Sequence, residues 1–197
     1  MKTFFFFGDS LTLGVNDKEM LGWTGRLGMQ MDLPVPPTTF YNLGARKHTS
    51  KLVCDRWMHE VRSRTLPESD VRLMFCFGVV DMAAPQGEPL VPVEKSVQNL
   101  ENLLTEVKEQ YSADAVRILS PFPVAQEAHC KRIAELNAAY NAACAAHGVE
   151  YIDLFSAVVE YDAYMNDLQD GVHPGGEGCS IIAEFLFNTA TVKNWID

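Results

Sequence analysis

Phe4-Phe5-Phe6-Phe7-Gly8-Asp9-Ser10-Leu11-Thr12-Leu13-Gly14 decides how this chain is read. Four consecutive phenylalanines stop at a glycine, an acid and a serine. A short, wholly apolar run bounded by a glycine is the pattern of a strand buried on both faces. Ligands of open α/β sheets sit outside the carboxyl ends of their strands. Ser10 therefore stands where a nucleophile stands. At the other end of the chain, Asp170-Gly171-Val172-His173-Pro174 offers a base and a carboxylate that can orient it.

Outward from that first strand the pattern alternates. Further strands are expected at Thr39–Leu43, Val71–Phe77, Ala115–Leu119 and Glu150–Leu154, after a first one at Thr3–Phe7. Helices are expected over Gly22–Met31, Ser50–Arg64, Val93–Tyr111, Ala125–His147 and Glu177–Ala190. The third is the clearest, because Val93, Val97, Leu100, Leu104 and Val107 recur at helical spacing. Gly148 is well placed to stop the fourth. This βαβα order predicts one parallel sheet of about five strands covered by helices on both faces, an α/β fold. No repeat or linker divides residues 1–197, so a single domain is expected. Three Pro- and Gly-rich loops stand out: Leu33–Pro37, Ala83–Pro92 and Pro121–Pro123. The last two follow strands three and four, so they are expected on the same edge as Ser10, where loops contact substrate.

Composition narrows the function. Sixteen Lys and Arg against 26 Asp and Glu give a net charge of -10. That balance argues against nucleic acid and anionic lipid as partners, since both need a positive surface. The five cysteines (Cys54, Cys76, Cys130, Cys144 and Cys179) form no Cys-x-x-Cys pair and read as reduced thiols. No Cys/His cluster has metal-ligand spacing. The apolar start is too short for a signal peptide and no stretch is long enough to span a membrane, so a cytoplasmic location is expected.

A serine hydroxyl needs a neighbouring base, and the base needs a third group to hold it. Asp170, three residues before His173, can bond Nδ1 and leave Nε2 for Ser10. Gly8-Asp9-Ser10-Leu11-Thr12 resembles the N-terminal block of the GDSL, or SGNH, hydrolases, and Asp170-x-x-His173-Pro174 resembles their C-terminal block. The resemblance covers nearly the whole chain. It implies a flavodoxin-like three-layer α/β/α sandwich and ester hydrolysis through an acyl-enzyme, with Ser10, Asp170 and His173 as triad and no cofactor. No Gly-x-Ser-x-Gly elbow surrounds Ser10, which sets it apart from the other common serine hydrolase layout. Asn42-Leu43-Gly44-Ala45 matches the family's second block, which implies that the N–H groups of Gly44 and Ser10 face the oxyanion.

One block departs from the family. Where its members carry Gly-x-Asn-Asp, with Asn completing the oxyanion hole, this chain has Gly78-Val79-Val80-Asp81. Valine has no donor. Three readings follow. Gln86 or Arg46 supplies the donor, the enzyme is slow or tuned to activated esters, or catalysis has been lost and binding kept. An acyltransferase with the same acyl-enzyme is a further alternative.

The remaining candidates are weaker. Asp9 is expected to hold the turn by accepting backbone N–H bonds. Met82 and Phe122, after strands three and four, are expected to wall an acyl pocket. Arg46 and Lys47 read as an exposed pair or as a pocket rim. His48, His59, His129 and His147 read as solvated or capping, and Trp23 and Trp57 as core. No phosphate-binding glycine loop is present. The expected partner is a small acyl ester.

Overall fold

The computed structural model describes residues 1–31, 33 and 38–196. Five strands form one parallel sheet: β1 (Lys2–Gly8), β2 (Thr39–Gly44), β3 (Asp70–Cys76), β4 (Val116–Leu119) and β5 (Glu150–Ile152), in the order β2-β1-β3-β4-β5. The chain leaves β1 for one neighbour, β2, and returns on the other side as β3. β1 is thus the point where the winding reverses, and its carboxyl end is where such sheets bind ligands. Ser10 lies two residues beyond that end.

The four phenylalanines explain why β1 is central. Successive side chains of a strand point to opposite faces. Phe4 and Phe6 face one way, meeting Trp195 at 5.1 Å and Trp23 at 5.7 Å between ring centroids. Phe7 faces the other way, stacked on Phe75 at 5.0 Å, and Trp57 meets the edge of Phe75. All four are fully buried. Burying one such ring contributes about 1.5–3 kcal/mol.

The helices divide between these faces. α2 (Gly22–Gln30), α8 (Gly176–Asn188) and α9 (Ala190–Ile196) cover the Phe4–Phe6 side, carrying Trp23 and Trp195. α3 (Ser50–Arg64), α4 (Val93–Gln110) and α5 (Glu127–His147) cover the Phe5–Phe7 side. The result is the three-layer α/β/α sandwich. α5 stops at Gly148, whose φ of 65° is left-handed. α1 (Ser10–Leu13), α6 (Leu154–Val158) and α7 (Asp162–Asn166) are single turns.

Some boundaries differ from the sequence expectation for local reasons. Asp153 caps α6 by accepting the Ser156 N–H at 3.0 Å, so Leu154 leaves β5 and starts a helix. The final helix breaks at Thr189, whose extended backbone (ψ 126°) separates α8 from α9. α5 begins at Glu127, because the Ala125 N–H is bound to the Gly171 carbonyl at 2.8 Å. That bond places the loop after β4 against the Asp170 segment. Of the loop Leu33–Pro37, all but Leu33 lies outside the described residues. Among the described residues, no helix is long and apolar enough to cross a membrane.

Candidate active site

The turn from β1 into α1 is built by Asp9. Its backbone is extended, and its side chain caps α1 by accepting the Leu11 N–H at 2.9 Å. That makes Ser10 the first helical residue. Gly44 lets α1 lie on the sheet edge, because a Cβ there would meet the Leu13 nitrogen at 2.1 Å. Asp9 is buried, and its Oδ2 has no hydrogen-bond partner. Burial pushes its carboxyl up to about 7; the Leu11 N–H opposes this and the neighbouring Asp81 adds to it.

The structure brings Ser10, His173 and Asp170 into one hydrogen-bonded line. His173 Nε2 lies 2.8 Å from Ser10 Oγ, and His173 Nδ1 lies 2.7 Å from Asp170 Oδ2. With Asp170 ionised, Nδ1–H donates to the carboxylate and Nε2 accepts the serine proton. The Asp170 loop is self-supporting. Asp170 Oδ1 accepts the N–H groups of Val172 at 3.0 Å and His173 at 2.8 Å. Partial burial pushes its carboxyl up, but the two N–H bonds and the His173 ring outweigh that and hold it below the usual carboxylate range. The Ser10 end of the line is buried and the Asp170 end is open to water.

Two clamps hold this corner. Asp167 Oδ2 accepts the Gly178 N–H at 2.6 Å and so fixes the start of α8, just after His173. On the other side Arg26 of α2 pairs with Asp17, both nearly buried. Asp17 Oδ2 also accepts the N–H groups of Leu21 and Gly22. Burial opposes the Asp17 charge, but Arg26 and the N–H groups of Gly22 and Glu19 bring its pKa down to about 2. Gly176 packs on this pair: a Cβ there would stand 3.1 Å from Arg26 Nη2. The ion pair therefore joins the loop that follows the serine to the segment that carries the histidine. Sequence reasoning missed it. The available signal was an arginine on the buried face of α2, between Trp23 and Leu27.

The turn Gly78–Met82 after β3 is equally well held. His129 Nε2 bonds the Val79 carbonyl at 2.8 Å, and Arg132 Nε donates to the Met82 carbonyl at 2.9 Å. Asp81 Oδ1 accepts the Ser50 N–H at 2.8 Å, and its other oxygen accepts the Ser96 hydroxyl, which also meets Tyr140. Burial raises the Asp81 carboxyl. His129 is thus a buried positioning group, with its pKa lowered by burial, and not the solvated or capping residue expected from sequence. Val80 projects from the middle of this turn, half-buried.

Three expectations change. The Gly44 N–H donates to Asn42 Oδ1 at 2.9 Å, so it is already engaged and does not stand free for an oxyanion. Met82 and Phe122 are fully buried, and Phe122 packs against Trp23, so both are core side chains and not walls of an open pocket. Arg46 and Gln86 are exposed, and neither is hydrogen-bonded to the serine corner. Asp9 holds the turn as expected. Among the described residues, no group of three or more His, Cys, Asp or Glu is arranged to hold a metal.

Comparison with known proteins adds a family and a fold. The model of the GDSL-like lipase/acylhydrolase family matches residues 6–181. No curated protein sequence matches. Among solved structures, a lipase/acylhydrolase from Enterococcus faecalis superposes with a TM-score of 0.78 at 22% identity, covering 98% of this chain and 97% of that one. A psychrotrophic esterase from Pseudoalteromonas sp. gives 0.74 at 16% identity, covering 98% of each chain. A catalytic mutant of an acetylxylan esterase from Geobacillus stearothermophilus gives 0.75 at 17%, covering 97% and 95%. At these identities the likeness is one of fold.

Proposed function

This chain belongs to the GDSL-like lipase/acylhydrolase family, and we propose that it is a serine esterase that hydrolyses small carboxylic esters through an acyl-enzyme. The observation that carries the proposal is the unbroken line Ser10–His173–Asp170, with both hydrogen bonds under 3 Å. The esterases among its structural neighbours support the same reading.

In this mechanism His173 Nε2 takes the Ser10 proton as Oγ attacks the acyl carbon. Asp170 holds the imidazole in the right tautomer and stabilises the imidazolium that forms. The imidazolium returns the proton to the leaving alkoxide, and the acyl group stays on Oγ. Water then attacks the acyl-enzyme, with His173 again as base. The Ser10 N–H is the first oxyanion donor. The Gly44 N–H becomes the second only by giving up Asn42. Val80 supplies nothing, which predicts a slow enzyme. No step needs a cofactor.

The test is a panel of p-nitrophenyl esters of increasing acyl length, run beside Ser10→Ala. The proposal expects hydrolysis by the parent chain and none above background by the variant. Equal rates for both contradict it. Ester formation with an added alcohol, exceeding hydrolysis, would redirect the assignment to an acyltransferase.

A further inference from the structure

A polar cavity of about 540 Å³ lies at the amino ends of β3, β4 and β5, the opposite rim of the sheet from Ser10. Arg72 and Arg117 line it together with Ser112, Thr191 and Asn194, and Asp114 and Glu150 stand in the same lining. Strand register explains how the two arginines meet. Arg117 of β4 is paired with Met74, two residues after Arg72 on β3, so both arginines project from one face of the sheet as diagonal neighbours. Phe4, the partner of Arg72 on β1, meets Trp195, so this is the face that α9 covers. α9 is tied down there, because Trp195 Nε1 donates to the Ala115 carbonyl at 2.9 Å.

Neither guanidinium is fully answered by the protein. Arg117 is only 4% exposed. Its bonds go to the backbone carbonyls of Thr191 (Nε, 3.1 Å), Asp114 (Nη1, 3.0 Å) and Val116 (Nη1, 2.8 Å), and none of these partners is a carboxylate. A buried charge ordinarily sits beside an opposite one. Burial lowers the Arg117 pKa; Glu150 and Asp114 oppose this, and Arg72 adds to it. Arg72 pairs with Asp70 through Nη2 at 3.0 Å, but its Nε is buried and has no hydrogen-bond partner. A buried donor without an acceptor costs free energy, and two neighbouring positive charges repel each other. An anion in the cavity answers both deficits.

We propose that this cavity binds a phosphate group, free or on a small phosphomonoester, at a site separate from the triad and independent of the esterase reading. The donors set the ligand class. Each guanidinium presents a planar fork that matches a pair of phosphate oxygens. The hydroxyls of Ser112 and Thr191 and the amide of Asn194 add donors from the segment after α4 and from α9. A carboxylate carries its two oxygens on one side of a carbon, whereas a phosphate presents oxygens in several directions, as donors on β3, β4 and α9 require. The cavity leaves room for the organic part of a monoester. Asp114 and Glu150 are exposed, and Glu150 lies opposite Arg117 in register, so their carboxylates oppose the anion from the rim. The net charge of -10 weakens binding without forbidding it, because distant surface charges are screened by salt.

The test is calorimetric titration of inorganic phosphate into the parent chain at constant ionic strength, with phenyl phosphate and acetate as further arms. Saturable binding of one phosphate per chain is expected, and no saturable heat at millimolar phosphate overturns the proposal. Acetate binding as tightly as phosphate overturns it as well. Phenyl phosphate binding more tightly than phosphate assigns the site to a monoester, and weaker binding assigns it to phosphate itself. Arg72→Met keeps the apolar stem and removes the unpartnered Nε, so the Kd for phosphate should rise at least tenfold. An equal Kd places the bound phosphate elsewhere and overturns the site. Glu150→Gln alters an exposed side chain and removes an opposing charge, so the Kd should fall about twofold or more. Glu160→Gln, exposed between α6 and α7, should leave it unchanged. Equal values in these two glutamine variants overturn the proposal, and they decide it even if Arg72→Met does not fold.

Discussion

Two neighbouring corners of the sheet rim are built alike and present different chemistry. β1 and β3 run side by side in register, Gly8 opposite Cys76. The turn after β1 presents Ser10 and is held by Asp9, by the Asp17–Arg26 pair and, through the start of α8, by Asp167. The turn after β3 presents Val80 and is held by His129, Arg132 and Asp81. Both carry buried ionisable groups whose only visible task is to fix backbone. The first corner ends in a hydroxyl aligned on an imidazole, and the second ends in a side chain that cannot donate a hydrogen bond. A rigid frame is thus kept on both sides, and under the proposed mechanism the second one aims no hydrogen-bond donor. Preorganisation and donor supply are separable properties of an oxyanion site.

The comparison can be broken most sharply at the first corner. Ser10→Ala should lower kcat for p-nitrophenyl acetate by about 10⁴-fold or more, as loss of a triad nucleophile does. Its denaturant midpoint should stay near that of the parent. At the second corner, Val80→Asn restores a donor on a frame already in place. We expect kcat to rise, by up to about a hundredfold. An equal or lower kcat in the folded variant means that the braced turn does not face the oxyanion.

The two braces can be compared by stability. Arg26→Met leaves the buried Asp17 charge without its main partner. A loss of about 3–5 kcal/mol is expected in urea unfolding. The smallest effect concerns Asp9. Its folded pKa is about 7, above the ordinary value of 3.8, so between those values the folded state holds a proton that the unfolded state has released. Stability should therefore fall as pH rises from about 4 to 7, by on the order of 1 kcal/mol per pH unit, and level off above that. Asp9→Asn should flatten this slope while keeping the cap to Leu11. Denaturation curves at a series of pH values check the sign, and an unchanged slope would move the titration to another group.

Much of this was legible in the amino-acid sequence, for a physical reason. Buried parallel strands are written as largely apolar runs, as β1, β3 and β4 are; the edge strands β2 and β5 are only partly buried and carry polar residues, and the alternation of elements placed them. The residues of the hydrogen-bonded line Ser10–His173–Asp170 were readable because a serine after a strand and an Asp-x-x-His loop are local patterns. What could not be read were bonds made across the sheet. Nothing near His129 in sequence shows that it meets Val79, or that Arg26 closes on Asp17 under Gly176. The Gly44 expectation treated the residue as a donor awaiting substrate, whereas Asn42, two residues earlier, turns back and occupies it. Met82 and Phe122 were placed by their position after strands, and position alone does not separate a pocket wall from the core. Single-turn helices such as α1 and α6 are too short to show a period.

The most direct test of the account is covalent. A fluorophosphonate added to the folded protein should leave one adduct, on the peptide that contains Ser10, found by mass spectrometry and absent from His173→Ala. A folded parent chain whose Ser10 stays unmodified would contradict the claim that this hydroxyl, imidazole and carboxylate act as one nucleophilic unit.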